Sequence, residues 1–312
     1  MITDNSPELL STSRTNALLE RLSPGSALVS MNKLPGSFSN FTYLVDAQDR
    51  NGLDFRLVIR SYAVFGDYDR GEKARREYKT YEILQKHAIP APKALFLDQT
   101  GEILGSPGIV TSYMPGKLDM SPSMPLKWAR EMAKVLAQIH SVPYNPAEHD
   151  FLLDANQEAS WFIHSGAVPD YMEAHPLGKQ VWQTVHDLFP RLQKKQDCLV
   201  HVDYWPGNIL WENDSISAIV DWEEAAFGDP AIDVAYCRMN MLLEDLPQAA
   251  DEFIKTYERE TGQEIGNLAF WELAAAARPM LDPEGWEIVE SPRRDRFAQF
   301  IEQALAGCRW AQ

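Results

Sequence analysis

The chain has 312 residues and 45% hydrophobic content, long for one domain and sufficient for two lobes with buried cores. Its three cysteines, Cys198, Cys237 and Cys308, form no CxxC or CxxH pair, which argues against a zinc site or a disulfide framework. Net charge is −16, and its distribution is lopsided: residues 1–113 carry 13 Lys+Arg and 13 Asp+Glu, while residues 114–312 carry 16 against 32, a field that disfavours nucleic acid and anionic membranes and favours cationic ligands.

The first 25 residues are polar apart from the amphipathic piece Ala17-Leu18-Leu19-Glu20-Arg21-Leu22 and lack a signal-peptide apolar run. No stretch approaches the roughly 18 apolar residues that span a bilayer, so a cytoplasmic protein is expected. Residues 26–113 read as a twisted antiparallel sheet with one helix. Phe41–Val45 is a strand candidate, Asp49-Arg50-Asn51-Gly52 a hairpin turn, and Phe55–Arg60 the returning strand. A helix is expected from Gly71 to His87, ended by Pro90 and Pro92, followed by strands at Ala94–Leu97 and Gly108–Tyr113.

Met114-Pro115-Gly116 breaks this pattern and reads as a linker, dividing the chain into an N-terminal lobe, 1–113, and a C-terminal lobe, 114–312. Beyond it the periodicity is helical. Leu126–His140 places Trp128, Met132, Val135, Leu136 and Ile139 on one face, and further helices are expected within 156–195, 231–260 and 267–279. The predicted fold class is α+β: a small β-rich lobe with one helix, a hinge, and a larger, mostly helical lobe.

The richest segment is His201-Val202-Asp203-Tyr204-Trp205-Pro206-Gly207-Asn208, followed by Ile219-Val220-Asp221-Trp222. An Asp precedes an Asn by five residues, and a second Asp lies thirteen residues beyond that Asn. The apolar runs Ile209-Leu210-Trp211 and Ala218-Ile219-Val220 read as short buried strands that bracket the polar groups. Phosphoryl transfer to a hydroxyl needs this set. Asp203 suits the acceptor hydroxyl as catalytic base or orienting group. Asn208 and Asp221 offer the hard oxygen ligands that Mg²⁺ prefers, with the remaining sites left to water and nucleotide phosphate.

The sequence resembles the aminoglycoside phosphotransferase and choline kinase-like superfamily, small-molecule relatives of protein kinases. Its pattern of His-Gly-Asp, four residues, Asn, and later an apolar pair with Asp stands here as HVDYWPGN and IVDW. The resemblance continues into Gly228-Asp229-Pro230-Ala231-Ile232-Asp233 and covers roughly residues 30–240. It implies a protein-kinase-like fold, ATP or GTP as co-substrate with Mg²⁺, Asp203 as catalytic base, Asn208 and Asp221 as metal ligands, and Asp233 as a structural anchor. His201 would brace the loop. Val202 departs from the family's Gly; a positive φ at that position would strain it.

In the N-terminal lobe the resemblance places a phosphate-covering loop at Leu34–Asn40, where backbone N–H groups with Ser37, Ser39 and Asn40 would meet phosphate. Strand alternation puts Val58 and Arg60 on one face, matching an adenine contact beside a phosphate contact. Arg replaces the usual Lys, a swap that changes geometry. Glu77 on the following helix is the expected partner of Arg60, with Glu82 the alternative. The resemblance alone assigns Thr111 and Tyr113 to a hinge that contacts adenine through backbone groups.

The acceptor is expected to be a small molecule bearing a hydroxyl, of aminoglycoside type or otherwise cationic given the charge of residues 114–312. Pocket candidates are Asp170, Glu173, Glu223, Glu224, Glu284 and Glu287, with Trp161, Tyr171, Trp271 and Trp286 as walls, and Trp205 is expected to pack rather than stack on a ligand. An amino alcohol or sugar kinase and a nucleotide-binding pseudokinase are the alternatives. A metal hydrolase on His201 and Asp203 is disfavoured because no other histidines have ligand spacing.

Overall fold

The computed structural model describes residues 10–34, 40–62, 69–143, 145, 149–193 and 196–309. The chain divides into two compact units: Met1–Gly116 with Ser217–Glu224, and Lys117–Ile216 with Ala225–Gln312. The segment that carries Asp221 thus belongs to the first unit, although it follows the Asp203 loop in sequence.

The first unit begins with α1 (Thr12–Leu22), capped by the Ser11 hydroxyl accepting from the Arg14 N–H at 3.3 Å. The strands β1 (Ala27–Lys33), β2 (Asn40–Gln48), β3 (Asp54–Tyr62), β4 (Ala94–Asp98) and β5 (Gly108–Ser112) form one antiparallel sheet in the order β1-β2-β3-β5-β4. Between β3 and β4 runs α2 (Arg70–Lys86), whose cap is the Asp69 carboxylate accepting from the Gly71 and Glu72 N–H groups.

Alternation along β3 decides what each face of the sheet does. Leu57 and Ile59 point into a core with Leu18 and Leu19 of α1 and with Tyr43, Val45 and Val110. Leu18 and Leu19 are fully buried, worth about 1.5–3 kcal/mol each. Val58 and Arg60 point to the opposite face.

The second unit is mostly helical. Its elements are α3 (Pro125–His140), β6 (Leu153–Asp154), α4 (Ala155–Ala159), α5 (Asp170–Glu173), α6 (Gly178–Leu188), β7 (Cys198–Val200) and β8 (Ile209–Glu212). The chain crosses to the first unit within β9 (Ser215–Ile219). It returns through β10 (Ala226–Gly228), α7 (Ala231–Leu243), α8 (Pro247–Thr261), α9 (Leu268–Ala275), α10 (Ala277–Leu281) and α11 (Arg293–Arg309). β10 lies centrally in a three-stranded sheet, parallel to β6 and antiparallel to β7. Phe297, Phe300, Ile301, Ala304 and Leu305 of α11 join Phe270, Trp271 and Leu273 of α9 in the unit's main core. No helix among the described residues is long and apolar enough to cross a membrane.

Candidate functional site

In the first unit, Arg60 is the centre of a buried ion-pair cluster. Its Nη2 lies 2.7 Å from Asp221 Oδ1 and 3.6 Å from Glu223 Oε2, and its Nε lies 3.3 Å from Glu77 Oε2. Glu77 is completely buried and accepts hydrogen bonds from the hydroxyls of Tyr62 and Tyr81, the latter at 2.8 Å. The Trp222 N–H adds a longer contact at 3.4 Å. Burial pushes the Glu77 carboxyl up from its ordinary value, and the Arg60 charge opposes that rise. Burial opposes the Arg60 charge, but the carboxylates of Asp221, Glu77 and Glu223 outweigh it and hold the guanidinium well above its ordinary value. Such a residue stays cationic and can meet phosphate oxygens.

Asn40 and Glu223 complete the cluster. The Asn40 side-chain amide donates to Glu223 Oε2 at 2.5 Å, Lys73 Nζ lies 3.5 Å from Oε1, and Arg76 Nη1 donates to the Glu223 backbone oxygen at 2.6 Å. Glu223 is therefore a buried structural acid. Its expected place among the acceptor-pocket residues is corrected by these partners, which engage both carboxylate oxygens.

Val58 is half-buried on the Arg60 face and pairs in register with Thr111 across β3 and β5. Thr111 is buried, and Tyr113 lies under the Arg56 guanidinium, 5.2 Å from the ring centre. Ser37 and Ser39 lie outside the described residues. Glu82, the alternative partner for Arg60, instead pairs with Lys79 at 2.7 Å.

In the second unit, the loop after β7 carries Asp203. The Asp233 carboxylate, fully buried at the start of α7, accepts from the His201 N–H at 2.8 Å and the Val202 N–H at 2.7 Å. His140 Nε2 lies 3.1 Å from the same carboxylate, and His140 Nδ1 lies 2.6 Å from the Tyr257 hydroxyl. Val202 has a φ of +71°, a conformation that glycine adopts freely and a β-branched residue does not. The strain anticipated for Val is present, and it is sustained by the Asp233 contact and by a side chain sealed in the core.

The loop then turns through Pro206–Asn208. Gly207 is required there because a Cβ would lie 2.3 Å from the Trp205 ring. Trp205 itself packs against the second unit's core, as expected. The Asn208 Nδ2 donates to the Asp203 backbone oxygen at 2.9 Å and to Asp203 Oδ2 at 2.8 Å. With its nitrogen so engaged, the amide keeps its oxygen as an acceptor, the hard ligand type that suits Mg²⁺. Asp221 contributes a carboxylate that is 37% exposed.

Sequence reasoning missed Arg278 and Tyr236. Arg278 Nη1 donates to Asp203 Oδ1 at 2.8 Å, and its guanidinium lies over the Tyr236 ring, 4.6 Å from the centre. The available signal was a single charge ending the Ala-rich run Ala274-Ala275-Ala276-Ala277-Arg278. Among the proposed acceptor walls, Trp271 is buried in the core. Trp286 meets Tyr236 edge-on at 6.1 Å, and Trp161 stacks on Tyr171 at 5.8 Å.

The phosphotransferase enzyme family model matches residues 30–271, most of the chain. The chain belongs to this family. Among curated relatives, it is 28% identical over 212 residues to acyl-CoA dehydrogenase family member 10 of Mus musculus, which covers 64% of this chain but 19% of the mouse protein. The chain thus spans about a fifth of that relative. It is 26% identical over 253 residues to hygromycin-B 4-O-kinase of Escherichia coli, covering 73% of this chain and 67% of the kinase. A solved aminoglycoside phosphotransferase, a thermostable mutant in ternary complex with AMP-PNP and hygromycin B, superposes with a TM-score of 0.62 at 17% identity, covering 96% of this chain and 98% of that one. At that identity the likeness establishes the fold: α+β, with an antiparallel sheet in one unit and helices dominating the other.

Proposed function

We propose that this family member transfers the γ-phosphoryl group of ATP, or GTP, to a hydroxyl of a small molecule. The observation that carries the reading is Arg60, one guanidinium in reach of Glu77, Asp221 and Glu223. It places a permanent cation beside a carboxylate of the type that holds Mg²⁺. Loose phosphoryl transfer depends on positioning and charge stabilisation, which this pairing supplies. The first unit would hold nucleotide through Asn40, Val58, Arg60, Thr111 and Tyr113, with Glu77 orienting Arg60. Asn208 and Asp221 would ligate Mg²⁺, which neutralises phosphate charge when bound.

Asp203 would accept or orient the proton of the attacking hydroxyl. The acidity of residues 114–312 supports a cationic acceptor of aminoglycoside type, and hygromycin-B 4-O-kinase is a relative whose name fits that class. Asp170, Glu173, Glu224, Glu284 and Glu287 are the acids that remain available to this reading once Glu223 is removed.

The test is ADP release with Mg²⁺ and ATP or GTP against aminoglycosides, macrolides, amino alcohols and sugars. Acceptor-dependent turnover is expected, with kcat falling by about 10²–10⁴ in Asp203→Asn. Asp221→Asn should abolish Mg²⁺-dependent turnover with the fold retained. Nucleotide binding without turnover on any acceptor would replace the kinase reading with a pseudokinase.

A further inference from the structure

Asp203 is held from two sides by groups on different elements. Asn208 Nδ2, from the loop's own turn, donates to Oδ2 at 2.8 Å. Arg278 Nη1, from α10, donates to Oδ1 at 2.8 Å, and its Nη2 approaches the Val202 carbonyl oxygen at 3.4 Å. Tyr236, from α7, lies beneath the guanidinium at 4.6 Å. Burial pushes the Tyr236 hydroxyl well above its ordinary value, followed by the nearby Asp203 charge, and the neutral hydroxyl is itself a hydrogen-bond partner of the Asp203 side chain.

A carboxylate side chain swings about two bonds, and one anchored oxygen leaves its plane free to rotate. Anchors on both oxygens, Asn208 on one and Arg278 on the other, with the Tyr236 hydroxyl as a further partner, set both position and plane. A carboxylate offers about four lone-pair directions, and the donors from Asn208, Arg278 and Tyr236 leave one for an acceptor hydroxyl. A planar guanidinium keeps its charge at any working pH and holds the oxygen along a fixed N–H direction, which a lysine's point charge does not.

We propose that Arg278 is a positioning residue that acts through Asp203, fixing the carboxylate in the orientation that receives the acceptor hydroxyl. The inference rests on the phosphotransferase reading. Each side chain of the pair is 26% exposed. An ion pair at that exposure adds little to stability, so a purely structural role would give a variant that differs hardly at all from the wild type.

The experiment compares wild type, Arg278→Ala, Arg278→Lys, Asp203→Asn and the double variant Asp203→Asn/Arg278→Ala. It uses ATP, Mg²⁺ and an acceptor panel that includes water. Arg278→Ala is expected to lower kcat by about 10- to 100-fold, the range seen when an outer partner that orients a functional group is lost. KM for ATP and the melting temperature should not move. Lysine should restore part of the loss, and added guanidinium ion should rescue Arg278→Ala but not Asp203→Asn. Because Arg278 acts through Asp203, its removal should cost nothing further in the Asp203→Asn background. Wild-type kcat in Arg278→Ala, multiplicative losses in the double variant, or a loss that tracks melting temperature and ignores guanidinium would each overturn the inference alone. A wild-type chain inert toward every acceptor and toward water would overturn the phosphotransferase reading, and the inference with it.

Discussion

The carboxylate of Asp233 holds the Val202 N–H at 2.7 Å while Val202 sits at a φ of +71°. A β-branched residue in this conformation costs of order 1–3 kcal/mol. The buried hydrogen bond and the buried side chain offset that cost, and the loop residue before Asp203 is held in one shape.

Val202→Gly is therefore expected to be unusually mild. It removes backbone strain together with apolar burial. Val200, equally buried two residues upstream on β7, has no such strain. Denaturant melts should show Val202→Gly costing about 1–3 kcal/mol less than Val200→Gly, the size of the strain relieved. Equal costs would mean that Val202 stores no strain.

The Arg60 cluster should respond asymmetrically to truncation. Arg60→Ala leaves Glu77 fully buried without its counter-charge, a loss of about 3–5 kcal/mol. Adding Glu77→Gln to Arg60→Ala should recover part of that loss, since the uncompensated acid is gone. A double-mutant cycle by chemical denaturation checks this, and additive losses would show that the two residues are uncoupled.

Much of this arrangement was legible in the sequence because it is local. The Asn-Gly turn between β2 and β3, the period-2 strand that puts Val58 and Arg60 on one face, and the loop from His201 to Asn208 all depend on residues close along the chain. Glu77 was accessible through the family resemblance, which pairs the basic residue of β3 with an acid on the helix that follows; its complete burial was not. Arg278 was not, since its partner Asp203 lies 75 residues away, and α10 has no periodicity that would aim a side chain. Glu223 misled because a carboxylate next to the motif looks exposed in sequence, whereas its partners Asn40 and Lys73 come from 183 and 150 residues earlier. The helix α11 went unpredicted, although Phe297, Phe300, Ile301, Ala304 and Leu305 do form a helical stripe.

Glu223 yields a prediction that separates structure from acceptor binding. With Asn40, Lys73 and Arg60 gathered on its carboxylate, Glu223→Gln should destabilise the protein by about 1–3 kcal/mol, the cost of leaving buried polar partners imperfectly matched. KM for a cationic acceptor should stay unchanged. A raised acceptor KM with unaltered stability would return Glu223 to the acceptor pocket.

Alkaline pH should unfold the protein through its buried tyrosines. Burial is the leading cause that pushes the hydroxyls of Tyr62, Tyr81, Tyr204 and Tyr236 well above the ordinary 10.0. The unfolded chain releases these protons near pH 10, and the folded chain retains them to higher pH. The native state therefore binds more protons in that range, and stability must fall as pH rises. The stabilisation is complete below pH 10 and is lost progressively toward the raised folded values. Each buried tyrosine contributes a slope of up to about 1.4 kcal/mol per pH unit. Denaturant melts between pH 8 and 11.5 should show a plateau followed by a steep decline, with tyrosinate absorbance from these residues appearing only with unfolding. Tyr204→Phe should reduce the slope, although it also loses the hydrogen bond to the Met132 carbonyl at 2.8 Å. Full tyrosinate absorbance in a chain that remains folded at pH 11 would show that these hydroxyls are not sealed from solvent.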